Sequence, residues 1–211
     1  LLDRLSLRAV EDNDGIPSFI KDLPDGATAV LLETKAMTPE ELAVNIEAVK
    51  SAVSGFETLH PIEFTDKPEE YSKYWKIRSG VFPSVGGLRP TGTSCLIEDI
   101  VFPLDVMPEA VTDLQKLIAD HGYKDGCIYG HSIEGNFHFI INQNFSDDAE
   151  VKRFEGLIDA VVDLVVDKYD ASLKGEHGTG RNIAPFVRRE WGDQAYAVMK
   201  EVKDLFDPRN L

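Results

Sequence analysis

Residues 130–142 read Gly-His-Ser-Ile-Glu-Gly-Asn-Phe-His-Phe-Ile-Ile-Asn, and this stretch decides both the fold and the candidate site. From Asn136 onward the sequence has the period of two that is typical of a β-strand. One face of that strand receives the apolar side chains of Phe137, Phe139 and Ile141. This face should pack against helices, so His138 should lie on the opposite, more polar face. A tight turn near Gly135 would bring His131 beside it.

Outward from this strand, the sequence alternates between helical and extended patterns. Apolar residues at helical spacing, with a hydroxyl N-cap at Thr38 and a stop signal at Gly122, predict five helices. These helices should cover residues 38–53, 69–78, 108–120, 148–169 and 189–206. Strands are expected over residues 28–33, 56–64, 94–102, 126–129, 136–143 and 172–174.

The order strand, helix, strand occurs twice, over residues 28–64 and again over residues 94–143. Each half can form a split β-α-β unit of ferredoxin type. We therefore expect an α+β fold in which a mainly antiparallel sheet has its helices packed on one face. The other face is then left to a partner or to solvent.

The chain has 211 residues and a formal net charge of −15. Such a charge repels phosphate backbones and anionic lipids, which argues against nucleic acid and membrane surfaces as partners. No apolar run approaches the roughly 20 residues of a transmembrane segment, and residues 1–10 lack the core of a signal peptide. The absence of an initiator Met suggests a piece of a longer protein. Cys95 and Cys127 lack metal or redox spacing, so we expect reduced thiols in a cytoplasmic protein.

Three polar residues are candidates for a metal site. His131 and His138 would converge on the polar face, and neutral imidazole nitrogen is a common ligand of divalent Zn, Mn and Fe. Glu176 could complete a set of two histidines and one carboxylate that leaves open positions for a substrate. The adjacent His177 could move a proton. Two histidines at this spacing also occur by chance, and residues 174–181 also fit an ordinary glycine-rich turn with an exposed charged pair.

Two arginines are candidates for binding a carboxylate. Arg78 ends an aromatic helix, and Arg89 follows the Gly86-Gly87 pair. Either guanidinium could hold a small carboxylate through two parallel hydrogen bonds. A lone arginine on a helix is more often solvated or paired with an acid.

From Tyr74 to the last residue, the motifs resemble the C-terminal, substrate-binding cap domain of FAD-linked oxidases of the vanillyl-alcohol oxidase type. That family includes D-lactate, glycolate and D-2-hydroxyglutarate dehydrogenases. The motifs occur in the family's order at residues 75–78, 98–103, 130–138, 175–180 and 206–211. The resemblance implies that residues 1–211 are one cap domain of a longer FAD-dependent oxidoreductase that oxidises a D-2-hydroxy acid to the 2-oxo acid.

The resemblance also implies roles for individual residues. The polar face of the sheet would cover the flavin, and the cofactor would contact Asn136, Gly178 and Gly180. His131, His138 and Glu176 would bind a divalent metal, which metal-dependent members of the family require. His177 would be the catalytic base, and Arg78, with Arg89, would bind the substrate carboxylate.

Partners and location follow from the same resemblance. FAD would be held mainly by an upstream domain of the same protein, so the isolated fragment should be inactive. The resemblance is strongest to long bacterial members with a downstream iron–sulfur region, so the expected partner is either such a region or another electron acceptor. The expected location is cytoplasmic, with peripheral attachment of the full-length protein to the inner membrane as the alternative.

Some positions depart from the family pattern. Glu134 stands where the family has Asp, Ile133 where Gly is common, and Ile140 where Asn is frequent. The strand over residues 94–102 lacks the lysine of hydroxyglutarate-type enzymes, so the sequence leaves the identity of the acid open. Two other classes of protein remain as alternatives. One is a non-enzymatic, ferredoxin-like ligand-binding module, and the other is a metallohydrolase that uses the same two histidines and glutamate.

Overall fold

The sheet has three strands, β1 (Thr93–Val101), β2 (Cys127–His131) and β3 (Asn136–Asn144), in a computed structural model that describes all 211 residues. Their spatial order is β1-β3-β2, and β3 is antiparallel to both neighbours. β1 and β2 are therefore parallel to each other, and the helix that connects them in the sequence passes over one face of the sheet. This is the split β-α-β unit predicted for residues 94–143, and the predicted α+β class is confirmed.

Seven α-helices accompany the sheet. Their bounds are α1 Arg4–Val10, α2 Pro39–Val53, α3 Pro68–Leu88, α4 Met107–Asp120, α5 Asp148–Val162, α6 Gly180–Ile183 and α7 Val187–Phe206. A π-helical segment, Asp163–Lys168, continues α5 through most of the predicted 148–169 helix. The chain leaves helical geometry at Gly192 inside α7, with φ of 75° and ψ of 171°. No helix combines the length and the apolar character needed to cross a lipid bilayer.

The prediction of strands over residues 28–33 and 56–64 is wrong. Of these residues only Ala29 makes a β-bridge, to Leu2. The N-terminal residues occupy the free edge of β2 instead, since the amide of Asp3 donates to Ile128 and the amide of Gly130 donates to Leu1. Neither segment has strict polar–apolar alternation, and Pro61 removes a donor from the second. Residues 172–174 are also not a strand, although Ser172 bridges to Val101 at the end of β1.

Helices cover both faces of the sheet, which differs from the expectation of helices on one face. The apolar face packs against α4 and α5, and its buried cluster includes Phe137, Phe139 and Ile141. The other face packs partly against α1 and α3, in a second cluster that contains Leu7, Val81 and Ile140.

Two features of the sequence explain the second layer. Asp3 caps α1 by accepting a hydrogen bond from the amide of Ser6. The sequence pattern did not reveal this short helix. α3 runs ten residues beyond the predicted end at residue 78. Ile77, Val81 and Val85 recur every four residues along it, so the longer helix buries a continuous apolar stripe.

The two cysteines are free thiols, Cys127 buried and Cys95 half-buried. Burial raises the pKa of the Cys127 thiol to about 12, which keeps it protonated and unreactive at neutral pH.

The turn between β2 and β3 depends on Gly135, and its substitution should destabilise the protein. Gly135 has a φ of +65°, and a Cβ there would collide with the carbonyl oxygen of Phe102. Gly26 has a φ of +82°, but a Cβ added there would meet no atom within 4 Å, so it is a matched control. We expect Gly26→Ala to lower the free energy of unfolding by about 1–2 kcal/mol through backbone strain alone. Gly135→Ala should cost about 1–3 kcal/mol more, from the collision.

Urea unfolding of the two variants, followed by circular dichroism, measures the difference. Equal losses for Gly135→Ala and Gly26→Ala would contradict the close contact between this turn and residue 102.

Candidate functional site

The register of the sheet places three polar side chains in a row across the second face. His138 in β3 is paired directly with Asp99 in β1 and with Tyr129 in β2. Residues paired across antiparallel strands share a face, so Asp99 and Tyr129 flank His138. His131, the last residue of β2, follows on the same face two residues beyond Tyr129.

The loop after residue 174 is attached to this row through its backbone. Asp99 Oδ2 accepts hydrogen bonds from the amides of Gly175, Glu176 and His177, at 2.9, 2.8 and 2.8 Å. A Cβ on Gly175 would collide with the side chains of Asn136 and Val101, so a glycine is required for this close approach. The loop is therefore held against the polar face of the sheet.

Glu176 lies at the centre of the histidines. Its Oε1 atom is 3.1 Å from His138 Nε2, 3.5 Å from His131 Nε2 and 3.7 Å from His177 Nε2. The ligating atoms of His131, His138 and Glu176 all lie within 4.8 Å of one another. The His177 ring stacks on the His138 ring at 4.5 Å, with 6° between their planes. The structure thus brings together the three residues predicted as metal ligands and the residue predicted as the base.

The histidine at the centre of the row is buried and neutral. Only 2% of the His138 side chain is exposed, whereas the side chains of His131, Glu176 and His177 are 43%, 51% and 38% exposed. Burial, followed by the nearby His177, lowers the pKa of His138 to about 4, and the Asp99 and Glu176 carboxylates only partly oppose this. Its Nδ1 atom has no hydrogen-bond partner and lies 3.5 Å from Asp99 Oδ1.

The aspartate beside His138 is ionised. Burial alone would raise the pKa of Asp99, but hydrogen bonds from the His177 amide, from Asn136 and from the other two loop amides lower it below its usual value. A carboxylate that accepts several backbone N–H groups is stabilised in its charged form. The buried row therefore contains one fixed negative charge beside a neutral imidazole.

Arg78, from α3, adjoins the cluster. Its Nη2 atom lies 2.7 Å from His131 Nε2, and because arginine can only donate, that nitrogen of His131 carries a lone pair. The Arg78 guanidinium also lies over the Tyr129 ring, 6.0 Å from its centre. The structure thus places this arginine next to the predicted metal ligands.

Arg89 is not brought to the cluster. It follows the C-terminal end of α3, whereas Arg78 lies midway along this helix, about 16 Å away along the axis at 1.5 Å per residue. Its guanidinium donates to the backbone carbonyls of Gly86 and Thr93. Arg89 therefore closes the turn between α3 and β1.

The predicted cofactor-binding residues have different environments. Asn136 is buried, and its amide nitrogen donates to Asp99 Oδ1 and to the carbonyl of Ile100. Gly178 and Gly180 lie on the exposed part of the loop, with φ of +70° and +68°, and a Cβ added to either would meet no atom within 4 Å. The glycines are thus open to solvent, while the structure gives Asn136 a role in orienting Asp99.

Sequence reasoning missed the role of Asp99. The signal was present in β1, where Glu98 and Asp99 stand together between the apolar pairs Leu96-Ile97 and Ile100-Val101. Adjacent strand residues face opposite sides, so one acid must point towards each buried face. A buried acid needs partners, and that requirement could have identified Asp99 as the partner of a neighbouring loop.

The split β-α-β domain therefore presents two histidines, a glutamate and an arginine together on one face of its sheet. Residues 1–211 match the family model described as FAD linked oxidases, C-terminal domain. The chain belongs to this family, as the sequence motifs indicated.

Three curated relatives are oxidoreductases of hydroxy acids by name. The chain is 26% identical over its full length to D-lactate dehydrogenase [cytochrome], mitochondrial, of Arabidopsis thaliana, covering 35% of that protein. It is 24% identical over its full length to glycolate oxidase subunit GlcD of Bacillus subtilis, covering 42%. It is 23% identical over 86% of its length to D-2-hydroxyglutarate dehydrogenase of Stutzerimonas stutzeri, covering 38%. The chain thus spans well under half the length of these relatives.

Proposed function

We propose that this chain is the substrate-binding cap domain of a longer FAD-dependent dehydrogenase that oxidises a D-2-hydroxy acid to the 2-oxo acid. The observation that carries the proposal is the convergence of His131, His138 and Glu176 beside Arg78. The family and the names of the relatives support the reaction class, and the three relatives differ in the acid they are named for.

The donor set is suited to a divalent ion such as Zn, Mn or Fe. His131 Nε2 carries a lone pair, His138 is neutral, and a carboxylate oxygen of Glu176 lies within 4 Å of both ring nitrogens. Neutral imidazoles and a carboxylate are the ligands that these metals prefer. An ion held by these three residues would supply the positive charge that lowers the pKa of a substrate hydroxyl.

Arg78 is the residue that binds the substrate carboxylate in this proposal. Its planar guanidinium can donate two parallel hydrogen bonds to a carboxylate. In the structure one of its N–H groups is engaged by His131 Nε2. If His131 binds a metal through Nε2, its lone pair is used for the metal and the hydrogen bond from Arg78 is lost. The Arg78 guanidinium is then free to bind the substrate carboxylate.

His177 is the residue that accepts the hydroxyl proton. Its ring stacks on His138 and its Nε2 atom lies 3.7 Å from Glu176, so the imidazole stands at the edge of the ligand set. The side chain is partly exposed and can be reached by a substrate. Oxidation of a 2-hydroxy acid removes one proton from the hydroxyl and one hydride from C2. Bound FAD would supply the acceptor for that hydride.

FAD would be held mainly by an upstream domain of the same protein. The side chains of His131, Glu176 and His177 are exposed, which supports a second domain that would cover them and exclude water during the reaction. The downstream iron–sulfur region and the cytoplasmic or peripheral location stay predictions.

The alternative functions use the same residues differently. A non-enzymatic ligand-binding module would not require Glu176 to lie against two imidazoles. The observed distances from Glu176 to His131 and His138 therefore favour a catalytic site. A metallohydrolase would use the same ligand set without flavin. Steady-state assays of the full-length protein separate the two enzymes. We expect 2-oxo acid from D-2-hydroxy acids with an artificial electron acceptor, and little from the L-enantiomers. Hydrolysis that a chelator abolishes, without any such oxidation, would favour the hydrolase.

Removal of one predicted ligand should release the metal. We expect His131→Ala in the full-length protein to lose most of its bound divalent metal, because two ligands rarely retain an ion that needs three or more. Elemental analysis of the purified protein measures the metal content. His121, which bonds to the carbonyl of Leu117 at the end of α4, is a control histidine outside the cluster. Metal content equal in His131→Ala and His121→Ala would argue against the assignment.

Removal of the predicted base should reduce turnover more than metal content. We expect His177→Ala to lower kcat by about 10²–10⁴-fold, the usual contribution of a general base, because the hydroxyl proton loses its acceptor. Metal content should stay near the wild-type value. An unchanged kcat would remove His177 from the reaction.

Replacement of Arg78 by lysine should weaken substrate binding. A lysine ammonium is a point charge and cannot form two parallel hydrogen bonds, so we expect Arg78→Lys to raise KM by at least about tenfold. Arg89→Lys makes the same exchange just after the C-terminal end of α3, away from the cluster, and should leave KM near the wild-type value. The reverse pattern would assign the carboxylate to Arg89 instead.

A further inference from the structure

The Asp99 side chain has no exposed surface, yet it makes more hydrogen bonds than any ligand of the cluster. One carboxylate oxygen accepts three successive backbone amides, from Gly175 to His177. The other oxygen accepts the amide of Asn136 and faces His138 Nδ1 at 3.5 Å. A single side chain therefore contacts both the loop that supplies Glu176 and His177 and the strand that supplies His138.

We propose that Asp99 is a positioning residue that fixes the segment 175–177 against His138, and so sets the geometry of Glu176 and His177 at the site. The inference deepens the proposed function and rests on it for its consequence in metal binding. The inference also explains why a charged side chain is buried at this position, where burial of a charge costs free energy.

Asp99 is not itself suited to be a ligand. Asp99, His138 and His177 also lie close enough together to form a second candidate set. The Asp99 oxygens, however, are already engaged by four N–H donors, and a ligating carboxylate oxygen would have to give up such bonds. The fully buried position also leaves no path for a substrate. Asp99 thus acts through the residues that it holds.

The ends of the loop are fixed independently of Asp99. Glu98, the preceding residue, points to the opposite face of β1 and is buried there. Its two oxygens accept hydrogen bonds from Lys174 Nζ and from Asn182 Nδ2, each at 2.7 Å. These contacts hold the chain on both sides of the segment 175–177. A change at Asp99 should therefore release the middle of the loop without detaching the whole loop.

The test uses two aspartates of similar burial in the full-length protein. Asp99→Asn keeps the side-chain shape but loses the charge and one acceptor oxygen. Asp3→Asn makes the same change at a buried carboxylate that accepts the amides of Ser6 and Ile128 and contacts none of the cluster residues. Hydrogen–deuterium exchange of the segment 175–177 measures the anchoring. Titration of the metal-free protein with Co²⁺, followed by visible absorption, measures the site.

We expect Asp99→Asn to speed exchange of the segment 175–177 at least tenfold and to weaken Co²⁺ binding by about 10–100-fold, the usual effect of losing a residue that orients ligands. Asp3→Asn should change neither quantity, although it should lower stability. Unchanged exchange in Asp99→Asn would overturn the inference, as would faster exchange with unchanged Co²⁺ affinity. A loss of affinity in Asp3→Asn as large as in Asp99→Asn would also overturn it, because general destabilisation would then account for both.

A second variant decides the matter if Asp99→Asn fails to fold. Gly175→Ala leaves Asp99 intact but pushes the segment away, because its Cβ would collide with Asn136 and Val101. The inference predicts weaker Co²⁺ binding and faster exchange in this variant, and wild-type values would overturn it. A wild-type protein that binds no Co²⁺ would contradict the proposed metal site, while the exchange of residues 175–177 would still decide whether Asp99 anchors the loop.

Discussion

The pairing of β3 with its two neighbours is the constraint on which the site depends. Because β3 lies between β1 and β2, a side chain of β3 can have a neighbour from β1 on one side and a neighbour from β2 on the other. This register places His138 between Asp99 and Tyr129, and it brings His131 from β2 to the same face. A shift of β3 by one residue against both neighbours would turn His138 to the face that Phe137 occupies, and so into the apolar core. Burial of Phe137 and Phe139 in the core therefore fixes the register of β3, and with it the position of His138 in the site.

The sequence was sufficient to predict this part of the molecule. Alternation in residues 136–142 separates the phenylalanines from the histidine, and the glycine at 135 indicates the turn that returns β2 to β3. The helices that follow β1 and β3 have apolar residues at clear helical spacing, and their predicted positions agree with α4 and α5. Local sequence patterns predict a strand or helix reliably when its apolar residues recur with one period and all lie on a single buried face.

The rest depended on contacts between distant residues, which local patterns do not reveal. Residues 28–33 have the composition of a strand, but Leu2 takes the place beside β2 that such a strand would need. The length of α3 is explained by its packing against the sheet and against α1, a helix of seven residues. In the site, the sequence predicted that Glu176 and His177 approach the other histidines but offered no cause. The cause is Asp99, which lies 76 positions before the first amide that it binds.

The central proposal is that two imidazoles and one carboxylate, from β2, β3 and the loop after residue 174, can hold a single divalent metal ion. X-ray absorption spectroscopy of the full-length protein loaded with Co²⁺, at the cobalt edge, tests this proposal most directly. We predict a first shell of nitrogen and oxygen only, with the outer-shell scattering of two imidazole rings. A shell that contains sulfur, or one without imidazole scattering, would contradict it.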